Sequence, residues 1–400
     1  MKKRLFISPS LTKAHPDSFV RVEQTHDLLF LGDEEVQDGD LVLQEGYQLR
    51  FWTHLPHRQR EQLSLLFHTL DEALVFLAAH PDPAGEYPIL IQEYGKLLRE
   101  GKLVAFPTET VYGLGADATD ERAARAIFTA KERPLFDPLI VHVATLGQLE
   151  GVVASLDERA KLLIEHFWPG PLTLVVEKHP SLPSIITADG DTVAIRMPAS
   201  PLALSLIEES GKPIAAPSAN RFGYTSPTTA AHVQQQLGER IAAILDGGSS
   251  SVGIESTVLS LAGDTPKILR PGKIGAEELY PIIGPVSAGQ DGPTTLLESP
   301  GLLENHYAPT TPLVLVDDVS VYAHDPQVGV LLFERSEETF KGPVRYISED
   351  EDPNEAASRL YWAMRELDGL GLKMMVCTLL AEKGIGIAIN NRLRKASFKG

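Results

Sequence analysis

The segment GPVSAGQDGPTTLLESPGLLENHYAPTTP, residues 284–312, constrains this chain more than any other stretch of it. It is rich in Pro, Gly, Ser and Thr, and loops inside one compact domain are seldom this long. Such a stretch is a linker between domains or a lid over a site, so the chain must build more than one core. A length of 400 residues points the same way, because single hydrophobic cores stop growing well below that size. A second break, PDPAGEYP at residues 81–88, reads as a turn cluster. It follows an apolar helical run from about Glu61 to Ala79. The breaks divide the chain into an N-terminal extension (1–87), a central domain (88–285), a linker or lid (286–310) and a C-terminal domain (311–400).

Each segment has its own pattern. The first reads as short strands (RLFIS, DLLFLG, DLVLQ, YQLRFWTHL) followed by one helix, an α+β extension. The central segment mixes strands (KLVAFPT, PLIVHV, LTLVVEK, TVAIRMP, PIAAPS, AAILDGG, STVLSL) with helices at Asp120 to Lys131, Leu202 to Glu209 and Thr229 to Leu237. In the last, strands and helices alternate as in a small parallel α/β domain. The fold class is therefore α/β.

Charge argues against one class of function. The net charge is −18, and residues 1–90 carry 8 basic and 14 acidic groups, residues 91–285 carry 17 and 23, and residues 286–400 carry 11 and 17. No segment is a basic module of the kind that grips polynucleotide phosphates. The single cysteine, Cys377, leaves no internal disulfide and no CxxC metal site. The start MKKRLFISPS loses its apolar character too soon for a signal peptide, and no apolar run is long enough to cross a bilayer. Reducing cytoplasm is the compartment these features imply.

Standard phosphate cradles do not account for the motifs. Gly113 to Ala118 matches GxGxxG/A and Asp137 follows at a ribose-binding distance. Yet the glycines lie in a turn too far beyond the strand KLVAFPT, and a GxxxxGK[ST] loop is absent. The helix capped by Asp120 delivers Lys131 and Arg133 to a turn before Pro134. A basic pair there answers the helix dipole as readily as it answers a ligand. His142 ends PLIVHV and is by itself as readable as a structural hydrogen-bonder. Arg196 is sharper: between apolar Ile195 and Met197, its guanidinium must be paired or face a cleft. Arginine is also the best bidentate partner for a carboxylate. Ser218 and Asn220 in PIAAPSAN, Ser256 in GIESTVLS and Arg270 in ILRPG add hydroxyls and a further cation near strand ends. Such a set suits an anionic ligand and chemistry by positioning and electrostatics.

FPTETVYGLGADA, AKERP, PLIVHV, FWPGPLTLV, VAIRMPA, PIAAPSANRFGYTSPT, GIESTV and ILRPG occur in order from residue 106 to 272. Together they closely resemble the YrdC/Sua5 family of threonylcarbamoyl-AMP synthases. SPGLLENHYAPTTP looks like that family's interdomain linker, and residues 311–400 look like its Sua5 C-terminal domain. The resemblance implies a twisted open α/β sheet of YrdC type with a small Rossmann-like domain after it. It implies condensation of L-threonine, bicarbonate or CO2, and ATP, with magnesium accompanying the triphosphate and pyrophosphate released. Downstream transferase proteins would then move the threonylcarbamoyl group to adenosine-37 of tRNA. Carried over by position, Thr110, His142, Arg196 and Ser256 would surround threonine. Lys131, Arg133, Asp137, Thr192, Ser218, Asn220, Ser226 and Arg270 would hold ATP, with Tyr307 of HYAP reaching over the nucleotide. Lys131, Arg133 and Arg196 would carry the chemistry, and no protein side chain would ligate metal. A double-stranded RNA or tRNA-binding module without catalysis is the alternative the family fold offers, and the acidic central segment argues against it. Residues 1–87 have no counterpart in the family pattern and read as a separately folding extension.

Overall fold

A computed structural model describes residues 3–8, 11, 26–30, 40–44, 47–58, 60–288, 307–348 and 350–397. Residues 289–306, which hold most of the expected lid, lie outside the described residues. Three sheets follow one another along the chain. The first contains β1 (Lys3–Ile7), β2 (His26–Phe30), β3 (Leu41–Gln44), β4 (Gln48–His54) and β5 (Arg60–Leu66), in the order β2-β1-β3-β4-β5. It is followed by helices α1 (Leu70–Ala79) and α2 (Pro83–Arg99).

The central sheet is built from β6 (Val104–Phe106), β7 (Gly113–Asp117), β8 (Ile140–His142), β9 (Leu172–Glu177), β10 (Thr192–Arg196), β11 (Ile214–Ala215), β12 (Ala243–Ile244), β13 (Thr257–Ser260), β14 (Lys267–Arg270) and β15 (Ser287–Ala288). Their order is β12-β6-β7-β11-β8-β10-β9-β13-β14-β15, a mixed open sheet. Its helices are α3 (Glu121–Lys131), α4 (Glu158–Phe167), α5 (Pro201–Ser210), α6 (Ala230–Leu237) and α7 (Ala276–Ile283). The last sheet is wholly parallel: β16 (Leu313–Leu315), β17 (Val328–Leu332), β18 (Val344–Tyr346) and β19 (Met374–Cys377), ordered β16-β19-β17-β18. Helices α8 (Pro353–Asp368) and α9 (Ile385–Ser397) complete it. No helix among the described residues is long and apolar enough to cross a membrane.

Three local readings need correction. Glu61 to Leu66 is strand, not the start of a helix, since Leu63 and Leu65 are buried with exposed Gln62 and Ser64 between and around them. That is the period of a half-buried strand, and the helix begins only after the Thr69 cap. PDPAGEYP is not a turn cluster. Asp82 caps α2 by accepting from Gly85 N, and Pro83 sits in the first helical turn, where a missing N–H costs nothing. The division at 87/88 thus falls inside α2. Gly113–Asp117, read as a turn, is the fully buried strand β7. Its Gly115 makes room for the Phe106 ring, because a Cβ there would lie 2.8 Å from Phe106 Cε1.

The N-terminal sheet does not have a core of its own. Leu43, Leu49, Phe51, Leu63 and Leu65 belong to one contiguous apolar cluster with Ile91, Val104 and Ile207. Phe51 stacks on Tyr87 of α2 at 6.0 Å between centroids. The Tyr87 hydroxyl donates to Asp246 O at 2.7 Å, tying α2 to the loop after β12. A backbone bridge joins Leu66 to Ser249.

Candidate active site

Sheet register decides where the polar residues meet. Ile140 and His142 are two apart on β8 and so share a face. Parallel pairing of β8 with β10 sets Arg196 opposite His142, and antiparallel pairing of β13 with β14 sets Arg270 opposite Val258, beside Ser256. The loops after β6 and β11 return over the same face. Together they line a partly open cavity whose walls include Thr110, Arg133, His142, Arg196, Ser218, Glu255, Ser256, Arg270 and Tyr307.

Arg196 is 3% exposed and anchored from several sides. Its Nε donates to Gly170 O at 3.1 Å and its Nη1 to Thr110 Oγ1 at 2.8 Å. Glu109 Oε1 stands 2.6 Å from Nη2, an ionic approach without hydrogen-bond alignment. Gly170 is required here, since a Cβ would meet Phe167 O at 2.1 Å. Thr110 is in turn held by Thr108, their hydroxyls 2.9 Å apart. His142 Nδ1 lies 3.3 Å from Ile140 O. Burial, and then the Arg196 charge, pull the imidazole down to about 3, so it is neutral. With its proton on Nδ1, Nε2 is an acceptor.

In the same cavity, Arg270 donates from Nε and Nη2 to Ser256 O at 3.1 and 3.0 Å, and from Nη2 to Ser256 Oγ at 3.1 Å. Ser256 Oγ also meets Thr173 Oγ1 at 2.7 Å. Arg133 pairs with Asp137 at 2.9 Å and donates to Pro138 O at 2.8 Å. Burial pushes the Asp137 carboxyl above its usual range even with Arg133 beside it. Tyr307, 1% exposed, also lines the cavity. Its backbone φ of 65° turns the chain sharply where Ala308 N bonds Gly223 O at 2.9 Å.

Thr110, Arg133, His142, Arg196, Ser218, Ser256, Arg270 and Tyr307 thus come together from eight separate places in the chain. Five expected site residues stand elsewhere. Lys131 turns away from the wall: its ammonium donates to Ser218 O and Asn220 O, and burial, then Arg133, lower its pKa well below normal. It fixes the loop that carries Ser218. Asp137 sits behind Arg133 as its partner. Asn220 spends its amide on Arg221 O and Tyr224 O at 2.7 and 2.8 Å, and Ser226 donates to Glu255 at 2.5 Å. Thr192 is at the opposite end of β10 from Arg196, about 13 Å away by strand rise.

Glu109, Glu255 and Arg392 are the residues sequence reasoning missed. Glu255 accepts from Ser226, from Tyr361 OH at 3.0 Å and from Arg392 Nε at 2.9 Å. Burial alone would raise its pKa, but Arg392, Arg270 and Ser226 hold it at about 2. A carboxylate inside GIESTV was a visible signal, being flanked by apolar and small residues.

Guanidiniums, hydroxyls and a neutral imidazole line one cavity of the α/β domain, with a tyrosine from the segment that follows it, an arrangement suited to anionic groups. Comparison with known proteins makes the class specific. A family described as Telomere recombination (Sua5, YciO, YrdC) matches residues 96–272, and one described as Threonylcarbamoyl-AMP synthase, C-terminal domain, matches residues 274–397. Proteins named threonylcarbamoyl-AMP synthase from Pyrococcus abyssi and Bacillus subtilis are each 44% identical, over 75% and 77% of this chain and 92% of their own. The crystal structure of P. abyssi Sua5 complexed with L-threonine superposes with a TM-score of 0.72 at 41% identity, over 77% of this chain and 94% of that one. The chain belongs to the threonylcarbamoyl-AMP synthase family.

Proposed function

We propose that this cavity condenses L-threonine, bicarbonate or CO2, and ATP into threonylcarbamoyl-AMP and pyrophosphate, a nucleotidyl transfer. The observation that carries this reading is the gathering of three buried guanidiniums in one cavity. Arg196, braced by Thr110, lines it together with Arg133 and Arg270. Threonine's carboxylate meets the Arg196 guanidinium, which is rigid and desolvated and so discriminates strongly for a planar anion. Neutral His142 accepts through Nε2 from the threonine ammonium or hydroxyl, a role a charged imidazole could not fill.

The amine, once deprotonated, adds to CO2 to give a carbamate. A carbamate oxygen then attacks the α-phosphorus of ATP while the α–β bridging oxygen leaves with pyrophosphate. Arg133 and Arg270 stabilise the charge that builds on the phosphoryl oxygens, and do so at low reorganisation cost because both are buried and pinned. Burial also keeps water from a labile mixed anhydride. The donors on the wall suit phosphate oxygens rather than a bare cation, so magnesium would enter as part of the nucleotide substrate. The adenylate is then consumed by a transferase acting on tRNA in the cytoplasm.

The test is pyrophosphate release by the purified chain with ATP, omitting threonine and bicarbonate in turn. Release that needs both supports the reading, and release indifferent to bicarbonate overturns the carbamate step. Arg196→Ala is expected to cost about 1.5–3 kcal/mol of threonine interaction, seen as a roughly 10- to 150-fold rise in the threonine KM. The ATP KM should move far less.

A further inference from the structure

Glu255 is an anomaly in a cavity meant for a polyanion. Glu255 lines the cavity beside Ser256 and Arg270, and its carboxylate, ionised and in a residue only 5% exposed, sits just behind that wall on Ser226, Tyr361 and Arg392. A fixed negative charge there repels a triphosphate through a medium of low dielectric. The central domain supplies Arg270 and the Ser226 hydroxyl against it. Arg270 hydrogen-bonds Ser256. The larger counter-charge, and the direct ion pair, come from the C-terminal domain. Arg392 of α9, 1% exposed, places Nε 2.9 Å from Glu255 Oε2, and its Nη1 donates to Pro271 O at 2.7 Å, beside Arg270. Tyr361 of α8 adds a hydroxyl at 3.0 Å. The backbone is shaped for this approach. Gly253 has φ +75°, and a Cβ on it would lie 2.4 Å from Ser358 Cα of α8, so only glycine lets the helix come this close to the loop carrying Glu255. The Arg392 guanidinium also lies 5.4 Å from the centre of the Tyr307 ring that lines the cavity.

We propose that Arg392 is a positioning residue for the nucleotide: by docking on Glu255 it cancels the negative charge behind the wall and seats Tyr307, so the cavity accepts ATP only when the C-terminal domain is in place. This rests on the reading of the cavity as an ATP site. Threonine, held by Arg196 whose own partners are Gly170, Thr110 and Glu109, should be nearly indifferent to it.

Wild-type pyrophosphate release with ATP and threonine checks the underlying reading first; its failure would be a failure of that reading and not of the role of Arg392. Given that activity, KM values for ATP and threonine are measured on Arg392→Met, Arg392→Lys, Glu255→Gln and the double variant Glu255→Gln/Arg392→Met, with thermal melts alongside. Arg392→Met should raise the ATP KM about 10- to 100-fold and the threonine KM less than about 3-fold. Arg392→Lys should recover much of the loss. The double variant should bind ATP at least about 5-fold better than Arg392→Met, because the charge to be cancelled is gone. Should Arg392→Met fail to fold, Arg392→Lys decides: its ammonium docks on Glu255 less well than the guanidinium fork, so its ATP KM should rise and its threonine KM should not. The proposal is overturned by equal rises in both KM values, by an ATP KM unchanged in every Arg392 variant, or by no rescue in a folded double variant.

Discussion

The two regions that flank the central sheet are joined to it by different physics. The N-terminal sheet gives its apolar face to the central domain. Leu43, Leu49, Phe51, Leu63 and Leu65 merge with residues of α2 and α5 into one cluster, and α2 itself lies against both. The C-terminal domain keeps a core of its own, around Leu360, Met364, Ile389 and Leu393, to which the central domain contributes Val111, Val252 and Ile254. Its further attachment is a buried polar one, Arg392 on Glu255 and Arg365 on Thr225 O. Shared apolar area is non-directional and sums into stability, whereas a buried ion pair is weak evidence for stability but specifies geometry. The N-terminal sheet therefore supports the fold, and the C-terminal domain shapes the site.

The largest effect that could break this comparison is removal of the N-terminal sheet. From sequence alone, loss of residues 1–87 should leave a folded and nearly normal enzyme. The shared core reverses that expectation: deleting residues 1–66 strips one side of the cluster and should leave the remainder insoluble or largely unfolded. A soluble remainder with wild-type turnover would show that the two sheets are separate after all. On a smaller scale, Phe51→Ala should cost about 3–5 kcal/mol, read by denaturant melts, with KM values unchanged. Phe51 is 1% exposed, packs on Tyr87 and is not among the residues that line the cavity.

How much of this was legible beforehand varies from residue to residue. Arg196 was, because a guanidinium between Ile195 and Met197 has few allowed surroundings. The strands carrying His142, Arg196 and Ser256 were legible from their apolar runs. Arg392 was not, and Glu255 showed only as a carboxylate among apolar and small residues, since each acquires its role from a partner 137 residues away. Lys131 was misplaced for a related reason. The sequence delivers it to the right turn, but only the packed loop shows that carbonyl oxygens of Ser218 and Asn220 claim its protons. The N-terminal sheet looked separate because alternation reveals which face of a strand is apolar and not what covers it.

Acid should test the C-terminal attachment selectively. Glu255 is held at about 2 against an ordinary 4.5. A carboxylate with a depressed folded-state pKa contributes stability that is complete above its unfolded value and is lost as pH falls toward the folded one. The window is therefore about pH 4.5 down to 2, and the contribution about 3 kcal/mol. Glu255→Gln should flatten that part of the stability profile, measured by chemical melts at each pH. An unchanged slope would mean that Glu255 is not what ties the domains together under acid.

The smallest effect asks whether the two flanking regions speak to each other directly. Trp362 of α8 donates to Glu72 Oε1 of α1 at 3.2 Å, and its ring lies 5.4 Å from that of His68. Burial, and then Arg359, hold His68 down at about 4, so the imidazole is neutral and the contact is not ionic. Trp362→Phe keeps an aromatic ring against His68 and removes one donor, leaving Glu72 with His68 N at 2.9 Å and Thr69 nearby. The expected cost is about 0.5–1.5 kcal/mol, with the ATP KM unmoved, because nothing in this contact touches Glu255 or Tyr307. A shift in the ATP KM would break the division of labour. It would mean that α8 transmits the position of the N-terminal sheet to the loop at Gly253, along the helix face that carries both Ser358 and Trp362.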